Sequence, residues 1–135
     1  MTAKPCTSPV VEGLPADNSP TAVLVDARTG GHPDEGYDRV VFDFRDDTSM
    51  PGFSVGYVDQ VIQDPSDRPL PMLPGAKLQV DIRWATAHDD TNTDGGTTSE
   101  STIPDDWDLR PGLSRVKQVK LAGDFEGHLR FGIAV

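Results

Sequence analysis

Six segments of the chain alternate apolar and polar residues with a period of two. They are residues 21–28, 39–45, 53–61, 77–84, 115–121 and 128–135. Successive side chains of a β-strand point to opposite faces of a sheet. The alternation is therefore typical of strands with one face on a core and the other in water. This pattern predicts about six strands.

The phase of the alternation predicts which residues face the core. In KLQVDIRW, Trp84 is in phase with Ile82 and with the two apolar residues before it, which predicts that Trp84 lies in the core. In TAVLVDAR, the same rule places Val23, Val25 and Ala27 on one face. We expect these side chains to be buried together.

The connections between the segments predict the fold class. Twelve prolines and thirteen glycines suit many turns. No long segment has an apolar stripe with helical periodicity, which disfavours parallel folds that need crossover helices. We expect an all-β fold, an antiparallel β-sandwich of two small sheets or an open barrel, with one long acidic loop over residues 88–114.

The beginning of the chain differs from the rest. Residues 1–20 are rich in Pro, Ser, Thr and Asp and show no periodicity, which is typical of a flexible tether. A chain of 135 residues suits a single core. We expect a tether over residues 1–20 and one folded domain over residues 21–135.

The charge of the chain limits the classes of partner. The formal net charge is −10 and the pI is about 4.5. Such a protein repels phosphate backbones and anionic lipids, which disfavours binding to nucleic acids or membrane surfaces. Neutral glycans, cationic groups and divalent metal ions stay open. Cys6 is the single cysteine, so neither an intrachain disulfide nor a cysteine-based zinc site is expected.

One polar string matches the first half of a calcium-binding loop. Asp90, Asn92 and Asp94 alternate before Gly95, as oxygen ligands do in such loops. The match then fails, because Ser101 occupies the position of the bidentate acid. The alternative is a polar loop without a metal ion, and we expect no cofactor.

Candidate catalytic groups are few. In an extended segment, Asp124 and Glu126 would project to the same side, and a glycosidase needs two carboxyl groups about 5–10 Å apart across a cleft. His88 is a further candidate for a hydrolase. The chain has no GxSxG and no HExxH string. We therefore expect a protein that is not an enzyme.

Four residues combine a flat face with a hydrogen-bonding tip and are candidates for binding. They are Tyr37, Arg39, Trp84 and Trp107. Arg39 falls on the outward face of its segment, where the alternative is an ion pair with a neighbouring aspartate. Trp107 lies in the polar loop, where it is either exposed or anchors the loop to the sandwich.

Several strings resemble a known family. GYDRVVFDF at 36–44 and LAGDFEGHLRFGIAV at 121–135 are similar to the AMIN-like domain of actinobacterial secreted lipoproteins. PGFSVGYVDQV at 51–61 and the segment ATAHDD at 85–90 also resemble this family, in the correct order and spacing. The resemblance spans residues 22–135.

The resemblance implies a non-catalytic β-sandwich in the cell envelope. The related AMIN domains of cell-wall amidases and secretin channels direct those proteins to peptidoglycan. The residues that match the family pattern are His32, Tyr37, Asp38, Arg39, Gly123, Asp124, Phe125, Glu126 and Gly127. We take as candidate ligand-binding residues His32, Tyr37, Arg39, Trp107, Asp124 and Glu126. The two glycines are candidates for unusual backbone angles at a turn.

The resemblance also suggests a role for the tether. Cys6 and the polar residues after it resemble the lipidated start of a mature lipoprotein. The preceding TAKP is not the small apolar run that a lipidation site needs. The alternative is an incidental thiol.

These observations lead to three hypotheses. The first is a non-catalytic, extracytoplasmic module that binds peptidoglycan or another wall glycan. The second is a module that docks an envelope protein through a sheet edge or through the 88–114 loop. The third is a wall hydrolase that uses Asp124, Glu126 or His88.

Overall fold

The fold is built from β-strands. The computed structural model describes residues 10–13, 22–45, 51–64, 66–93, 96–104, 106–125 and 127–135, without the side chains of 10–13, 89–93 and 96–101. Its strands are β1 (Val10–Gly13), β2 (Ala22–His32), β3 (Tyr37–Phe44), β4 (Gly52–Val58), β5 (Lys77–Arg83), β6 (Ala85–Thr86), β7 (His88–Thr93), β8 (Gly96–Ser101), β9 (Asp108–Leu109), β10 (Gln118–Phe125) and β11 (His128–Ala134). No helix occurs among the described residues, and the predicted all-β sandwich is confirmed.

The larger sheet contains the two segments with the cleanest alternation. Its six strands follow the order β1-β4-β5-β11-β10-β9. The register of β5 and β11 joins Val80 to Phe131 and Ile82 to Leu129. All four of these side chains are buried, so the predicted inward faces of both strands are confirmed at these positions. A fully buried side chain of this size stabilises a fold by about 1.5–3 kcal/mol.

The smaller sheet packs against the larger one. Its three strands follow the order β3-β2-β6, and it is mixed, because β2 pairs with β3 antiparallel but with β6 in parallel. Leu24 of β2 is fully buried in the shared core. The Phe42 ring of β3 lies 4.7 Å from the Phe131 ring of the larger sheet. The two sheets therefore form the two layers of the sandwich.

Two predictions about the number and length of elements are corrected. The described residues form eleven strands rather than about six. The predicted long loop over residues 88–114 contains the two-stranded β7–β8 ribbon and strand β9. The ribbon pairs from His88↔Ser101 to Thr93↔Gly96. Its sequence has no apolar positions, so backbone pairing formed here without the alternation that signals a strand.

The prediction of which β2 side chains face the core is wrong for the first part of the strand, before Asp26. Leu24 is buried, whereas Val25 is 42% exposed. The register shifts between Leu24 and Asp26, as in a β-bulge, where one extra residue reverses the phase of the side chains. Beyond the bulge, Ala27 is buried as predicted.

The connection between β4 and β5 covers the outer face of the larger sheet. Val61 and Leu70 from this connection are buried in a second apolar cluster with Ala122 of β10. The backbone N–H of Asp64 donates to the Ala122 carbonyl at 3.1 Å. The larger sheet is therefore buried on part of both faces.

Two glycines make room for this connection. A Cβ atom at Gly132 would lie 2.7 Å from the Met72 sulfur and 3.0 Å from a Val61 methyl group. A Cβ atom at Gly123 would collide with the backbone of Asp64. A close backbone approach, rather than an unusual backbone angle, therefore explains Gly123. Gly127 does have a left-handed φ of 77°, as the sequence predicts.

A polar network also fixes this connection to the sheet. Asp81 accepts hydrogen bonds from Arg130 Nε at 2.6 Å and lies 3.0 Å from His128 Nε2. Arg130 Nη1 donates to the carbonyl of Ile62 at 3.1 Å. Burial raises the pKa of Asp81, but the hydrogen bonds from Arg130, Gln79 and His128 and the charge of Arg130 together outweigh burial and hold this pKa below its usual value.

Part of the predicted tether has a regular structure. Val10–Gly13 form β1, which pairs with β4 from Val10↔Gly56 to Gly13↔Phe53. The other residues of the segment 1–20 lie outside the described residues. The domain boundary at residue 20 stays a prediction.

Candidate functional site

The β2–β3 hairpin brings three candidate ligand-binding residues together at one end of the sandwich. His32 and Tyr37 are opposite each other in the hairpin, and their rings stack with centroids 4.6 Å apart and an angle of 25°. The guanidinium carbon of Arg39 lies 5.8 Å from the centre of the Tyr37 ring. Arg39 Nη2 donates to Tyr37 Oη at 3.3 Å. We name His32, Tyr37 and Arg39 the hairpin cluster.

A tight turn creates this cluster. The backbone N–H groups of Glu35 and Gly36 both donate to the carbonyl of His32, at 3.1 and 2.9 Å. Gly36 has a left-handed φ of 80°, a conformation that glycine adopts without steric cost. The turn HPDEG thereby places Tyr37 directly opposite His32.

Asp38 anchors the hairpin cluster to the body of the domain. Its Oδ2 accepts hydrogen bonds from the backbone N–H of Arg115 at 2.7 Å and of Val116 at 2.9 Å. The bond from Val116 is the largest cause that lowers the pKa of Asp38, because backbone N–H groups stabilise the charged carboxylate. The start of β3 is therefore held against the segment that leads into β10.

The two arginines of the hairpin differ in their partners. Arg28 pairs with Asp43 at 2.7 Å, which raises the pKa of Arg28 and lowers that of Asp43, chiefly through their hydrogen bond. Arg39 is exposed, and within the described parts of the chain it forms no ion pair. Its guanidinium contacts Tyr37 instead, so it presents charged N–H groups beside an aromatic ring.

Trp107 lies apart from the hairpin cluster and packs on the core. Its ring meets the Phe131 ring edge to face, with centroids 5.8 Å apart, and its side chain is only partly exposed. Its backbone carbonyl accepts a hydrogen bond from Leu121 at 3.0 Å. These contacts anchor the segment after the β7–β8 ribbon to the larger sheet.

Asp124 joins two other polar residues, Thr86 and His88. Asp124 Oδ2 lies 2.8 Å from His88 Nδ1 and accepts the Ala87 backbone N–H at 3.2 Å. Thr86 Oγ1 donates to Asp124 Oδ1 at 3.2 Å. Thr86 is buried, so its hydroxyl lacks the access to substrate that a nucleophile needs. The contacts instead tie β6 and the start of β7 to β10.

Several predicted residues cannot be placed in a site. Cys6, Asp94 and Glu126 lie outside the described residues, and the side chains of Asp90 and Asn92 in β7 are not described. Among the side chains that are described, no group of three or more His, Cys, Asp or Glu residues is arranged to hold a metal ion. Lipidation of Cys6 and calcium binding stay predictions.

A second group of exposed residues lies at the opposite end of the sandwich, around Trp84, which the sequence offers as a binding candidate but places in the core. Trp84, between β5 and β6, is 58% exposed, so the prediction that it lies in the core is wrong. Its φ of 59° is left-handed, which is rare for a bulky residue. The backbone leaves the strand conformation at this residue, so the alternation of β5 does not extend to it. No signal in the sequence marks this change.

Neighbouring strands hold Trp84 in place. Its carbonyl accepts the N–H of Ala22 at 2.8 Å, and the next N–H, of Ala85, donates to the Gly127 carbonyl at 3.0 Å. Arg83 pairs with His128, which pairs with Phe125, so Phe125 lies two strand spacings, roughly 10 Å, from Arg83. Arg83 is exposed and Phe125 is 43% exposed. We name Trp84, Arg83 and Phe125 the Trp84 surface.

An apolar cavity lies between the two sheets. Its volume is about 350 Å³, and it is lined by Val40, Phe42, Phe44, Pro51, Phe53, Val55, Val80, Ile82 and Ile133. Small-molecule sites in proteins have volumes of about 300–1,000 Å³. One wall is β3, which has no partner strand on its outer edge within the described part of the chain.

The sequence of the chain matches a known protein family. The AMIN-like domain model matches residues 22–135. The chain belongs to the AMIN-like domain family. The match begins at the first residue of β2 and runs to Val135, so it includes both sheets of the AMIN-like domain but not β1. Searches of curated proteins and of solved structures found no match.

The family sets the general role of the chain. AMIN-like domains occur in extracytoplasmic envelope proteins and are generally non-catalytic binding modules related to the cell wall. Within the described residues, no helix has the length and apolar character needed to cross a membrane.

Proposed function

We propose that this AMIN-like domain binds peptidoglycan or another wall glycan, with the hairpin cluster as its contact surface. The observation that carries the proposal is the position of the exposed Arg39 guanidinium over the ring of Tyr37, which stacks on His32. The C–H face of a sugar ring packs on an aromatic ring, while a guanidinium binds hydroxyl and carboxylate oxygens. Peptidoglycan presents all of these groups.

Hydrogen bonds hold the backbone on both sides of the hairpin cluster. Asp38 lies beside Tyr37 and accepts two backbone N–H groups from residues 115–116. The turn at Gly36 fixes the ring pair from the other side. A contact surface that is ordered before binding loses less entropy when the ligand arrives.

The charge of the chain makes a simple test informative. A wall that carries carboxylates is negatively charged. Non-specific electrostatics therefore do not attract a protein with a net charge of −10 to it. Retention on purified peptidoglycan would therefore indicate specific contacts.

The test is co-sedimentation of the full chain with purified peptidoglycan. We expect the wild-type chain to sediment with the wall, and Tyr37→Ala and Arg39→Ala to weaken binding about tenfold or more, since a hydrogen bond to a charged group contributes about 1.5–3 kcal/mol. Arg110→Ala is the matched control, because Arg110 is an exposed arginine of another segment. A wild-type chain that stays in the supernatant would contradict the proposal.

One observation favours docking of an envelope protein as a second candidate function. The outer edge of β3 lies beside the apolar cavity, and Phe42 and Phe44 of that strand line it. An extended peptide added to this edge would place alternate side chains in the cavity. A pull-down from envelope extract tests this candidate: Phe44→Ser should lose the captured protein and the exposed-site control Val25→Ser should keep it. Equal capture by both variants would count against the β3 edge.

A further inference from the structure

We infer that the Trp84 surface is a second glycan contact, which takes a sugar ring that carries a carboxylate. This inference rests on the proposed wall-glycan function and adds a site at the other end of the domain.

The first observation is the exposure of two aromatic rings at one end of the sheet. Trp84 is 58% exposed and Phe125 is 43% exposed, among the few large apolar side chains that the structure leaves in solvent. Burial of such rings would stabilise the fold. Neighbouring exposed apolar groups in a soluble protein mark a surface that meets a ligand or a partner.

The second observation is the backbone of Trp84. A left-handed conformation is unfavourable for a residue with a side chain, yet Trp84 adopts it with a φ of 59°. Two hydrogen bonds, from the Ala22 N–H to the Trp84 carbonyl and from the Ala85 N–H to the Gly127 carbonyl, hold the conformation in place. Strained residues of this kind cluster at functional sites. Here the result is that the indole is displayed to solvent rather than buried.

The third observation is the local charge. Arg83 is exposed next to Trp84 and forms no ion pair within the described residues. Asp124, the acid of the neighbouring strand, is turned toward Ala87 and His88. Among the described residues, this end therefore has an exposed cation, Arg83, next to Trp84 in the chain and two strands away from Phe125, in a chain with ten more acidic than basic residues. Such a surface complements a sugar that carries a carboxylate.

The distance between the two surfaces favours a polymer as the ligand. Strand β2 begins beside Trp84 and ends at His32 of the hairpin cluster. Its 11 residues span roughly 30 Å or more. A long glycan strand reaches both surfaces, and a short fragment reaches only one. Two linked contacts bind more tightly than either alone.

Tryptophan fluorescence tests the Trp84 surface directly. The chain has two tryptophans, and Trp107→Phe leaves Trp84 as the only one. We expect the peptide-free disaccharide of peptidoglycan, whose lactyl group carries a free carboxylate, to shift the emission of this variant to shorter wavelength and to protect it from acrylamide quenching. Chitobiose, a neutral disaccharide, should have a weaker effect, and Arg83→Gln should reduce the preference for the charged fragment.

Co-sedimentation of Trp84→Gly supplies a second measurement. This variant removes the indole and relieves the left-handed conformation, so we expect weaker binding to peptidoglycan, by severalfold, with an unfolding midpoint that is unchanged or higher. A residue with a purely structural role would lower both. Arg110→Ala is again the control.

The outcomes separate this inference from the proposed function. If the wild-type chain sediments with the wall while Trp84 emission is unchanged and Trp84→Gly binds normally, the Trp84 surface is not a glycan contact and the hairpin cluster still stands. If the wild-type chain does not sediment, both fail. A shift of Trp84 emission with an envelope-protein fraction but not with glycan fragments would also overturn the inference, in favour of a protein partner.

Discussion

At both ends of the sandwich an aspartate carboxylate holds a distant segment by hydrogen bonds, but the aromatic rings at the two ends differ in their contacts. At the hairpin end, Asp38 accepts two backbone N–H groups of the facing segment. At the other end, Asp124 accepts the backbone N–H of Ala87 and the hydroxyl of Thr86. Each carboxylate therefore fastens a non-adjacent segment to a strand end.

The difference lies in how the rings are held. Tyr37 stacks on His32, so the hairpin cluster is supported by its own side chains. At Trp84, hydrogen bonds of the neighbouring backbone hold the chain, and the side chain is 58% exposed. We therefore expect the hairpin cluster to contribute to stability and the largely exposed Trp84 ring to contribute little. Substitutions at the two ends should separate these effects.

The largest effect is expected at the anchor of the Trp84 end. Asp124→Ala should lower the free energy of unfolding by about 2–3 kcal/mol, because the Ala87 N–H and the Thr86 hydroxyl lose a charged acceptor in a partly buried site. Urea denaturation measures this change. Asp106→Ala, at an exposed turn, is the control and should stay within about 0.5 kcal/mol of the wild type. Equal stabilities of the two variants would show that Asp124 is not an anchor.

A smaller loss is expected in the hairpin cluster. Tyr37→Ala removes the stack with His32 and should cost about 1 kcal/mol, the usual contribution of an aromatic pair. Tyr37→Phe keeps the ring and removes only the acceptor of the Arg39 hydrogen bond, so it should remain close to the wild type in urea denaturation. If both substitutions destabilised the domain equally, the hydroxyl rather than the stack would support the cluster.

The opposite sign is expected at Trp84. The left-handed conformation costs about 1–2 kcal/mol for a residue with a side chain, and a substitution by glycine removes this cost. The greater flexibility of glycine in the unfolded state offsets about 0.5–1 kcal/mol of that stabilisation. Trp84→Gly should therefore leave the free energy of unfolding unchanged or raise it by up to about 1 kcal/mol. Trp84→Ala retains the strain and should be less stable than Trp84→Gly. The reverse order would mean that the indole stabilises the fold.

The smallest effect is a pH dependence at Asp38. Backbone hydrogen bonds from Val116 and Arg115 lower its pKa in the folded protein below the ordinary value of 3.8. The stabilisation is thus complete above pH 3.8 and is lost as the pH falls through the lower folded pKa.

A variant isolates this contribution. Asp38→Asn cannot ionise, so the stability difference between wild type and variant should shrink as the pH falls. Thermal unfolding at a series of pH values from about 6 to 2 measures it. A difference that stays constant over this range would contradict the role of the Asp38 carboxylate.

Much of the sandwich could be predicted from the chain itself. The alternation of β5 and β11 placed Val80, Ile82, Leu129 and Phe131 on the core side, where they are buried. The family strings pointed to the AMIN-like domain, which the match over residues 22–135 confirms. Tyr37 and Arg39 were chosen for their chemistry, and because they are two residues apart in β3 they lie on the same face, with the Arg39 guanidinium over the Tyr37 ring.

Other features could not be predicted, because they depend on contacts between distant segments. The connection between β4 and β5 covers the outer face of the larger sheet only because Met72 packs closely on Gly132 and Asp64 on Gly123. These partners are far apart in the chain. The bulge after Leu24 changes which side chains of β2 face the core, whereas the apolar alternation in the sequence runs through this point without a break. The β7–β8 ribbon forms without apolar positions.

The sequence by itself determined the all-β class and the inward faces of the central strands, because a period of two is a local property of an extended chain. Only the tertiary structure decided that the Trp84 side chain is exposed rather than buried. Hydrogen bonds to Ala22 and between Ala85 and Gly127 impose a left-handed turn at the end of β5, which rotates the indole out of the core phase and into solvent. Strand alternation describes a residue only while its backbone remains extended.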